Sequence, residues 1–298
     1  MSTAASNDPI ARALSLSCWT APKDAQALDG GITNHNVKVM DGSDAYVVRL
    51  GDDIPEHMIL RWNELAISKA AHAADLAPEV VHSEPGVLVL RFVEGKALEA
   101  ADLHDTKTLE EAVGLVRRLH DDGLKHLTGP VLSFWVFHVL RSYAAYLRAN
   151  ASSHSDKLNS LLEQAEQLEA LVGPVQLVLG HNDLLPANIL KGADRSWLID
   201  WEYGGLNSPL FDLGGLATNS NLPREGEEQM LRSYFGAPPD ADMWRSYSAM
   251  KCASLLRETM WSMVSEISSE LDFDYAAYTQ DNLERYSAAY AAFMNGTN

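Results

Sequence analysis

Three oxygen-bearing side chains in the middle of the chain have the types and spacing for metal-assisted group transfer. Asp183, Asn188 and Asp200 lie within the stretch Gly180 to Tyr203, which reads GHNDLLPANILKGADRSWLIDWEY. Their surroundings are otherwise largely apolar. Asn188-Ile-Leu190 and Trp197-Leu-Ile-Asp200 flank the polar turn Gly192-Ala-Asp-Arg195 and read as a hairpin. That hairpin brings Asn188, at its start, close to Asp200, at its end, while Asp183 sits on the entering loop. Oxygen ligands converging at one end of a hairpin suit a hard divalent cation and a proton acceptor. Asp-x4-Asn followed by an Asp after an apolar strand matches what a kinase needs for phosphoryl transfer.

Other elements must hold these groups in place. Val175 to Leu179 is an apolar run that predicts a buried strand leading into the stretch. Upstream, Asp8-Pro9 predicts the start of a short helix. Gly30-Gly31-Ile-Thr33-Asn34 precedes two β-rich runs around Asp41-Gly42, a strong hairpin signal. A glycine-rich entry of this kind can lay backbone N–H groups over phosphates. Alternation puts Arg49 on the face opposite Tyr46, Val48 and Leu50, and an inward arginine requires a partner. Glu64 is the candidate, on a helix predicted from His57 to Ala74 whose one face carries Leu60, Glu64, Ile67, Ser68 and Ala71. A second hairpin is predicted from Glu79 to Val93 around Pro85-Gly86, and Glu94-Gly95-Lys96 reads as a linker. After the N-terminal helix the first ninety-odd residues therefore read β-β-α-β-β.

Beyond the linker the periodicity turns helical. Amphipathic helices are predicted around Leu109 to Gly123, from Ser133 to Arg148 and from Leu158 to Leu171. Asp212 stands at the start of an apolar helix, where it can cap the N-terminus or reach back to the loop of Asp183. From Arg224 the chain is helical again, and aromatic residues interleave there with Glu258, Glu266 and Glu270.

Composition sets the wider bounds. With 298 residues, 46% hydrophobic and 21% charged, the chain is an ordinary globular protein with a sizeable core. A net charge of −18 argues against nucleic acid or an anionic membrane as partner. It is compatible with a cationic small substrate. Two distant cysteines, Cys18 and Cys252, suggest free thiols and a cytoplasmic location. No run approaches a membrane span, and the N-terminus lacks the pattern of a signal peptide. There is no Gly-x-Ser-x-Gly elbow and no clustered Cys/His spacing for zinc.

Assembled, these residues resemble the choline/ethanolamine kinase family, within the wider group of aminoglycoside-phosphotransferase-like kinases. The most specific part is His181-x-Asp183-x4-Asn188 with Ile199-Asp-Trp-Glu-Tyr203 and Phe211-Asp-Leu-Gly214. Trp261 to Val264 and Leu271 to Tyr278 are similar to the family's choline-site segment. The resemblance implies an α+β, bilobal, protein-kinase-like fold. Residues 1–93 would form a small β-rich nucleotide-binding lobe, and 94–298 a larger, mainly helical catalytic lobe. ATP would lie between them. Asp183 would be the base, and Asn188 and Asp200 would hold Mg2+. Gly30, Gly31, Thr33 and Asn34 would cover the phosphates, and Arg49 with Glu64 would position them. Leu90 to Glu94, including Phe92, would be the hinge. His181 and Asp212 would brace the catalytic loop.

The acceptor side is implied by Glu202, Tyr203, Glu258, Trp261, Tyr275 and Tyr278. The family typically offers a second tryptophan three residues before Trp261, where this chain has Glu258. A carboxylate there can bind a primary or secondary ammonium, which keeps ethanolamine or another amino alcohol alongside choline. The expected partners are therefore a small amino alcohol and, at most, a second copy of the chain. Two alternatives stay open: the same chemistry on an aminoglycoside- or thiamine-type hydroxyl, and a catalytically silent binding protein.

Overall fold

The computed structural model describes residues 8–28 and 33–296. It opens on a short helix α1 (Pro9–Leu14), whose N-cap Asp8 accepts a hydrogen bond from the Ile10 N–H. Five antiparallel strands follow, β1 (Pro22–Leu28), β2 (His35–Asp41), β3 (Asp44–Leu50), β4 (Val80–Glu84) and β5 (Val87–Arg91), in the order β1-β2-β3-β5-β4. Both predicted hairpins are present. Gly42 and Gly86 turn them at φ 64° and 71°, a region that glycine enters without steric cost.

Strand β1 departs from the β-β-α-β-β reading. Its sequence, PKDAQAL, lacks large apolar residues before Leu28 and is half exposed, because an edge strand needs only one hydrogen-bonded neighbour. The sheet has two different faces. Val37, Val39, Val48, Leu50, Val87 and Val89 pack with Ala13 and Leu16 beneath α1. The opposite face, which carries Lys38, Val47, Arg49, Leu88 and Leu90, turns toward the rest of the chain.

Helix α2 (Arg61–Ala73) lies between β3 and β4 and begins four residues later than predicted. Pro55 to His57 form a single tight turn instead, ended by Met58 in the left-handed region at φ 61°, which an α-helix cannot contain. Glu64, Ile67, Ser68 and Ala71 are buried on one face of α2, as its periodicity predicts. The linker is also more ordered than its composition suggests. Its last residue opens β6 (Lys96–Ala97), which pairs with β8 (Ile189–Lys191) of the hairpin β8 and β9 (Ser196–Leu198) in a three-stranded sheet.

The remainder is helical: α3 (Thr106–His126), α4 (Val136–Ala149), α5 (Leu158–Val172), α6 (Pro209–Asn219), α7 (Arg224–Phe235), α8 (Ala241–Ser268) and α9 (Tyr275–Met294). Helix α4 starts at Val136 rather than Ser133 because Ser133 and Phe134 are already engaged with Leu206. The strand predicted over Val175 to Leu179 shortens to β7 (Val178–Gly180), which pairs with β10 (Gly205–Asn207). Helix α8 is the axis of this region and packs against α4, α5, α6 and α9. Surrounded in this way it buries polar residues as well, and Thr259 and Ser265 satisfy their hydroxyls on the carbonyls of Leu255 and Trp261. One continuous core joins these helices to the inner face of α2 through Ile67, Ala70 and Ala71.

Candidate active site

Asp183 stands on the loop between β7 and β8, and that loop is fixed by side chains rather than by regular structure. Asp212, in the first turn of α6, accepts from the backbone N–H of His181 at 2.8 Å and of Asn182 at 2.7 Å. It therefore reaches back to the catalytic loop, while Ser208 caps the helix. A third partner, His120 on α3, meets Asp212 at 3.0 Å and Tyr234 at 2.7 Å. Burial works to raise the Asp212 pKa, but the hydrogen bonds and charge of His120 and His181 outweigh it and hold the carboxyl below its ordinary value.

Asn182 is left-handed at φ 64°, a conformation asparagine tolerates. Its amide donates to the carbonyl of Tyr203 at 3.0 Å, tying the loop of Asp183 to that of Asp200. The His181 ring does the same through the Ile199 carbonyl at 2.8 Å, and burial lowers its pKa and favours the neutral imidazole.

The hairpin β8–β9 places Asn188 and Asp200 as its sequence predicts. The Asn188 amide donates to the Asp183 carbonyl at 2.9 Å, which leaves its side-chain oxygen free to serve as a ligand. Asp200 is also left-handed, at φ 67°. Among the described residues there is no cluster of three or more His, Cys, Asp or Glu able to hold a metal unaided. An amide oxygen and a carboxylate are hard donors, however, and they suit Mg2+, which keeps much of its shell from phosphates and water.

Arg49 joins the sheet to α2 and to the loop of Asp200. Its Nε donates to Glu64 at 2.9 Å and its Nη2 to Asp200 at 2.6 Å. Arg61, one turn before Glu64 on α2, adds a second guanidinium that reaches Glu64 at 2.7 Å and Glu202 at 3.0 Å. The sequence signal for Arg61 was its i,i+3 spacing from Glu64. Thr33 donates to both oxygens of Glu202, at 2.7 and 2.8 Å, and Asn34 reaches the same carboxylate at 3.4 Å. Glu202, expected with the acceptor, is thus bound to Thr33, Asn34 and Arg61. Burial and the charge of Asp200 raise its pKa despite the two arginines. Gly30 and Gly31 lie outside the described residues.

Val47 and Leu90 are paired and half-buried on the sheet face opposite α1. Phe92 carries the Lys38 ammonium 3.8 Å from its ring centroid, and Glu94 is exposed. A sequence profile of the choline/ethanolamine kinase family matches residues 25–219, which spans the strands, α2, Asp183, Asn188 and Asp200.

The chain belongs to the choline/ethanolamine kinase family. It is an ATP-dependent phosphotransferase with an alcohol group as acceptor, acting on an amino alcohol. It is 27% identical over 274 residues to protein LicA of Haemophilus influenzae, covering 88% of this chain and 77% of that one. It is 24% identical to a probable ethanolamine kinase of Arabidopsis thaliana, over 85% of this chain and 76% of that one. The fold is that of a choline/ethanolamine kinase family protein from Mesorhizobium loti, with a TM-score of 0.75, 24% identity and 92% of each chain covered. The choline kinase LicA of Streptococcus pneumoniae superposes with a TM-score of 0.75 at 21% identity, over 91% of this chain and 94% of that one.

In this choline/ethanolamine kinase family member the residues expected around the acceptor lie mainly on α8 and α9. The Trp261 indole N–H donates to the Tyr203 hydroxyl at 2.8 Å, and the Trp261 ring lies 6.2 Å from Tyr275 and 5.0 Å from His57. Burial, helped by the Arg257 charge, lowers the His57 pKa to about 3. Glu258 accepts from the Tyr278 hydroxyl at 2.8 Å and from Arg257 at 2.9 Å. Glu258 lies in the groove of Asp183 and holds Tyr278, while Trp261 joins Tyr203 to Tyr275.

Arg257 is the residue that sequence reasoning passed over. It is buried, its Nη1 lies 3.7 Å from Asp183, and its guanidinium sits 4.4 Å from the Tyr203 ring centroid. Its signal was a charge directly after Ala253-Ser-Leu-Leu256, on a helix with apolar residues on either side of it in sequence. Burial pushes the Asp183 pKa up to about 7, with Arg257 working against the rise and Glu258 adding to it.

Proposed function

We propose that Asp183 is the base of an amino-alcohol kinase of the choline or ethanolamine type, with Asn188 and Asp200 holding Mg2+. In the reaction the acceptor oxygen bonds to the γ-phosphorus of ATP, the bond from that phosphorus to the β-bridging oxygen breaks, and the hydroxyl proton passes to Asp183. The observation that carries this reading is the coupling of Asp183 to Asp200. One carboxylate is free for the acceptor and the other faces Arg49, and their loops are joined by Asn182, His181 and Asn188. Phosphoryl transfer depends mostly on positioning and electrostatics, and a cross-linked pair of loops supplies the positioning. Mg2+ would neutralise charge on the phosphates. Arg49, held by Glu64, would present its guanidinium to them, and Thr33 and Asn34 would steady the entry to the same cleft. Val47 and Leu90 would flank adenine, with the hinge from Leu90 to Glu94 dividing a nucleotide lobe (1–93) from a catalytic lobe (94–298).

A cytoplasmic location and a homodimer belong to the same reading. Two free thiols, Cys18 and Cys252, support the first. Among the described residues no helix is long and apolar enough to cross a membrane. Sedimentation of the purified chain tests the second.

The deciding experiment is Asp183→Asn. The variant is expected to bind ATP as the parent does and to lose about 100-fold or more of its turnover with ethanolamine or choline. Near-normal turnover in a folded Asp183→Asn protein would remove Asp183 from the role of base.

A further inference from the structure

The subsite beside Asp183 differs from what a quaternary ammonium requires. Such a cation cannot donate hydrogen bonds and is held by open aromatic faces. Here the face of Tyr203 is taken by Arg257, at 4.4 Å from the ring centroid, and Phe134 also lies 5.6 Å from the same guanidinium. Trp261 and Tyr275 are 7% and 6% exposed and packed on one another. A fixed positive charge therefore stands where a trimethylammonium group would enter.

The Arg257 side chain is 5% exposed, and apart from a weak interaction with the buried Tyr143 hydroxyl its Nε and Nη2 meet no acceptor in good hydrogen-bond geometry. A buried guanidinium so sparsely bonded on one edge is costly unless a ligand completes it. A narrow groove, with about 20 Å3 of cavity volume, opens beside Asp183 and is lined by Arg257, Arg285, Glu258, Ser254, Thr218 and Asn219 among others. Two carboxylates lie there beyond the base, but Asp212 is held by the His181 and Asn182 N–H groups and by His120, so two guanidinium groups and Glu258 are left to meet opposite charges on one small molecule. Glu258, with 28% of its side chain exposed, faces the groove and can accept from an ammonium.

We propose that the acceptor is an amino alcohol that also carries a carboxylate, a hydroxy amino acid, with Arg257 as its specificity-determining residue. Arg257 takes the carboxylate, Glu258 takes the primary ammonium, and the hydroxyl is left to Asp183. The transfer is unchanged: the hydroxyl oxygen gains the γ-phosphoryl group, ADP leaves, and Asp183 receives the proton. This inference rests on the proposed kinase reading and narrows its substrate.

The test uses pairs of acceptors that differ only by the carboxylate: L-serine against ethanolamine, and L-homoserine against 3-aminopropan-1-ol, with choline alongside. ADP release by the full chain with ATP and Mg2+ is the readout. For at least one pair, kcat/KM is expected to be about tenfold or more in favour of the acid-bearing member, as charge-assisted hydrogen bonds to a guanidinium provide. In Arg257→Met that ratio is expected to fall to near one, and in Arg257→Lys, which keeps the charge without the fork, to an intermediate value. The wild-type comparison needs no variant and stands even if one fails to fold. Turnover of ethanolamine or choline with no gain from the carboxylate in either pair would overturn the inference and leave the amino-alcohol kinase intact. A ratio that survives in folded Arg257→Met would also overturn it. No turnover of any of the five acceptors would overturn both readings together.

Discussion

Arg49 bonds Asp200 at 2.6 Å through Nη2 while its Nε holds Glu64 at 2.9 Å, so one guanidinium joins the sheet, helix α2 and the loop at the end of the catalytic hairpin. A lysine at this position has one charged nitrogen and cannot hold that fork. Arg49→Lys is therefore expected to weaken ATP binding about tenfold, measured by nucleotide titration without acceptor. Glu64→Ala leaves Arg49 buried with one partner fewer and is expected to cost roughly 3 kcal/mol of stability, since breaking a buried pair strands a charge. Combined, Arg49→Lys and Glu64→Ala are expected to be non-additive in thermal denaturation, because both act on the same contact.

The pH dependence follows from Asp183, whose pKa burial pushes up to about 7 against the opposing charge of Arg257. A base must be ionised, so kcat/KM is expected to rise with pH along an acid limb near neutrality. Arg257→Met removes the charge that holds the pKa down, and the limb is expected to move to higher pH. A limb that stays in place in the folded variant would separate Arg257 from Asp183.

Stability carries the opposite sign at the same residue. The folded carboxyl titrates above the unfolded one, so the folded state retains a proton that the unfolded state has lost. The penalty is absent below about pH 4, grows up to about pH 7 and is complete above it. Asp183→Asn is accordingly expected to raise the melting temperature at pH 8, by a gain on the order of 1–2 kcal/mol that fades toward pH 4. Equal melting temperatures for the two proteins at pH 8 would contradict the burial of a charged Asp183.

Asp212 supports the catalytic loop through two backbone N–H groups and His120. Asp212→Ala leaves those donors buried and unpaired, and is expected to destabilise the fold by roughly 3–5 kcal/mol. Hydrogen exchange at His181 and Asn182 is the measurement that locates the effect, with protection expected to fall there before it falls in α8.

Gly205 is fixed by close approach. A Cβ there would meet the Leu132 carbonyl oxygen at 2.7 Å, and the neighbouring Leu206 backbone bonds both Leu132 and Phe134. Gly205→Ala must push two backbone segments apart and is expected to cost about 2 kcal/mol, read by chemical denaturation. Gly114, whose Cβ position meets no atom within 4 Å, is the control, and Gly114→Ala in helix α3 is expected to be neutral or stabilising.

Elements with strong local signals were legible from the residues alone: both N-terminal hairpins, the buried face of α2, the hairpin of Asn188 and Asp200 and most of the helices. The sequence also identified Asp183, Asn188, Asp200, Arg49 and Glu64, because their spacing along strands and loops already implies convergence. Short or polar elements were illegible for the same reason. Strand β1 carries no alternation, and β6 is only two residues long. The ends of α2 and α4 were set by Met58 and by the pairing of Ser133 and Phe134 with Leu206, which are conformational and long-range facts. Beyond the pair of Arg49 and Glu64, the partners of the charged residues were set by the packing of distant segments. Glu202 turns to Thr33 and Arg61 because those donors, 169 and 141 positions away in sequence, face it across the cleft. Arg257 enters the site because α8 runs beneath the loop of Asp183. A helical pattern records that a residue faces inward, but which charge it meets there depends on how the helices are packed.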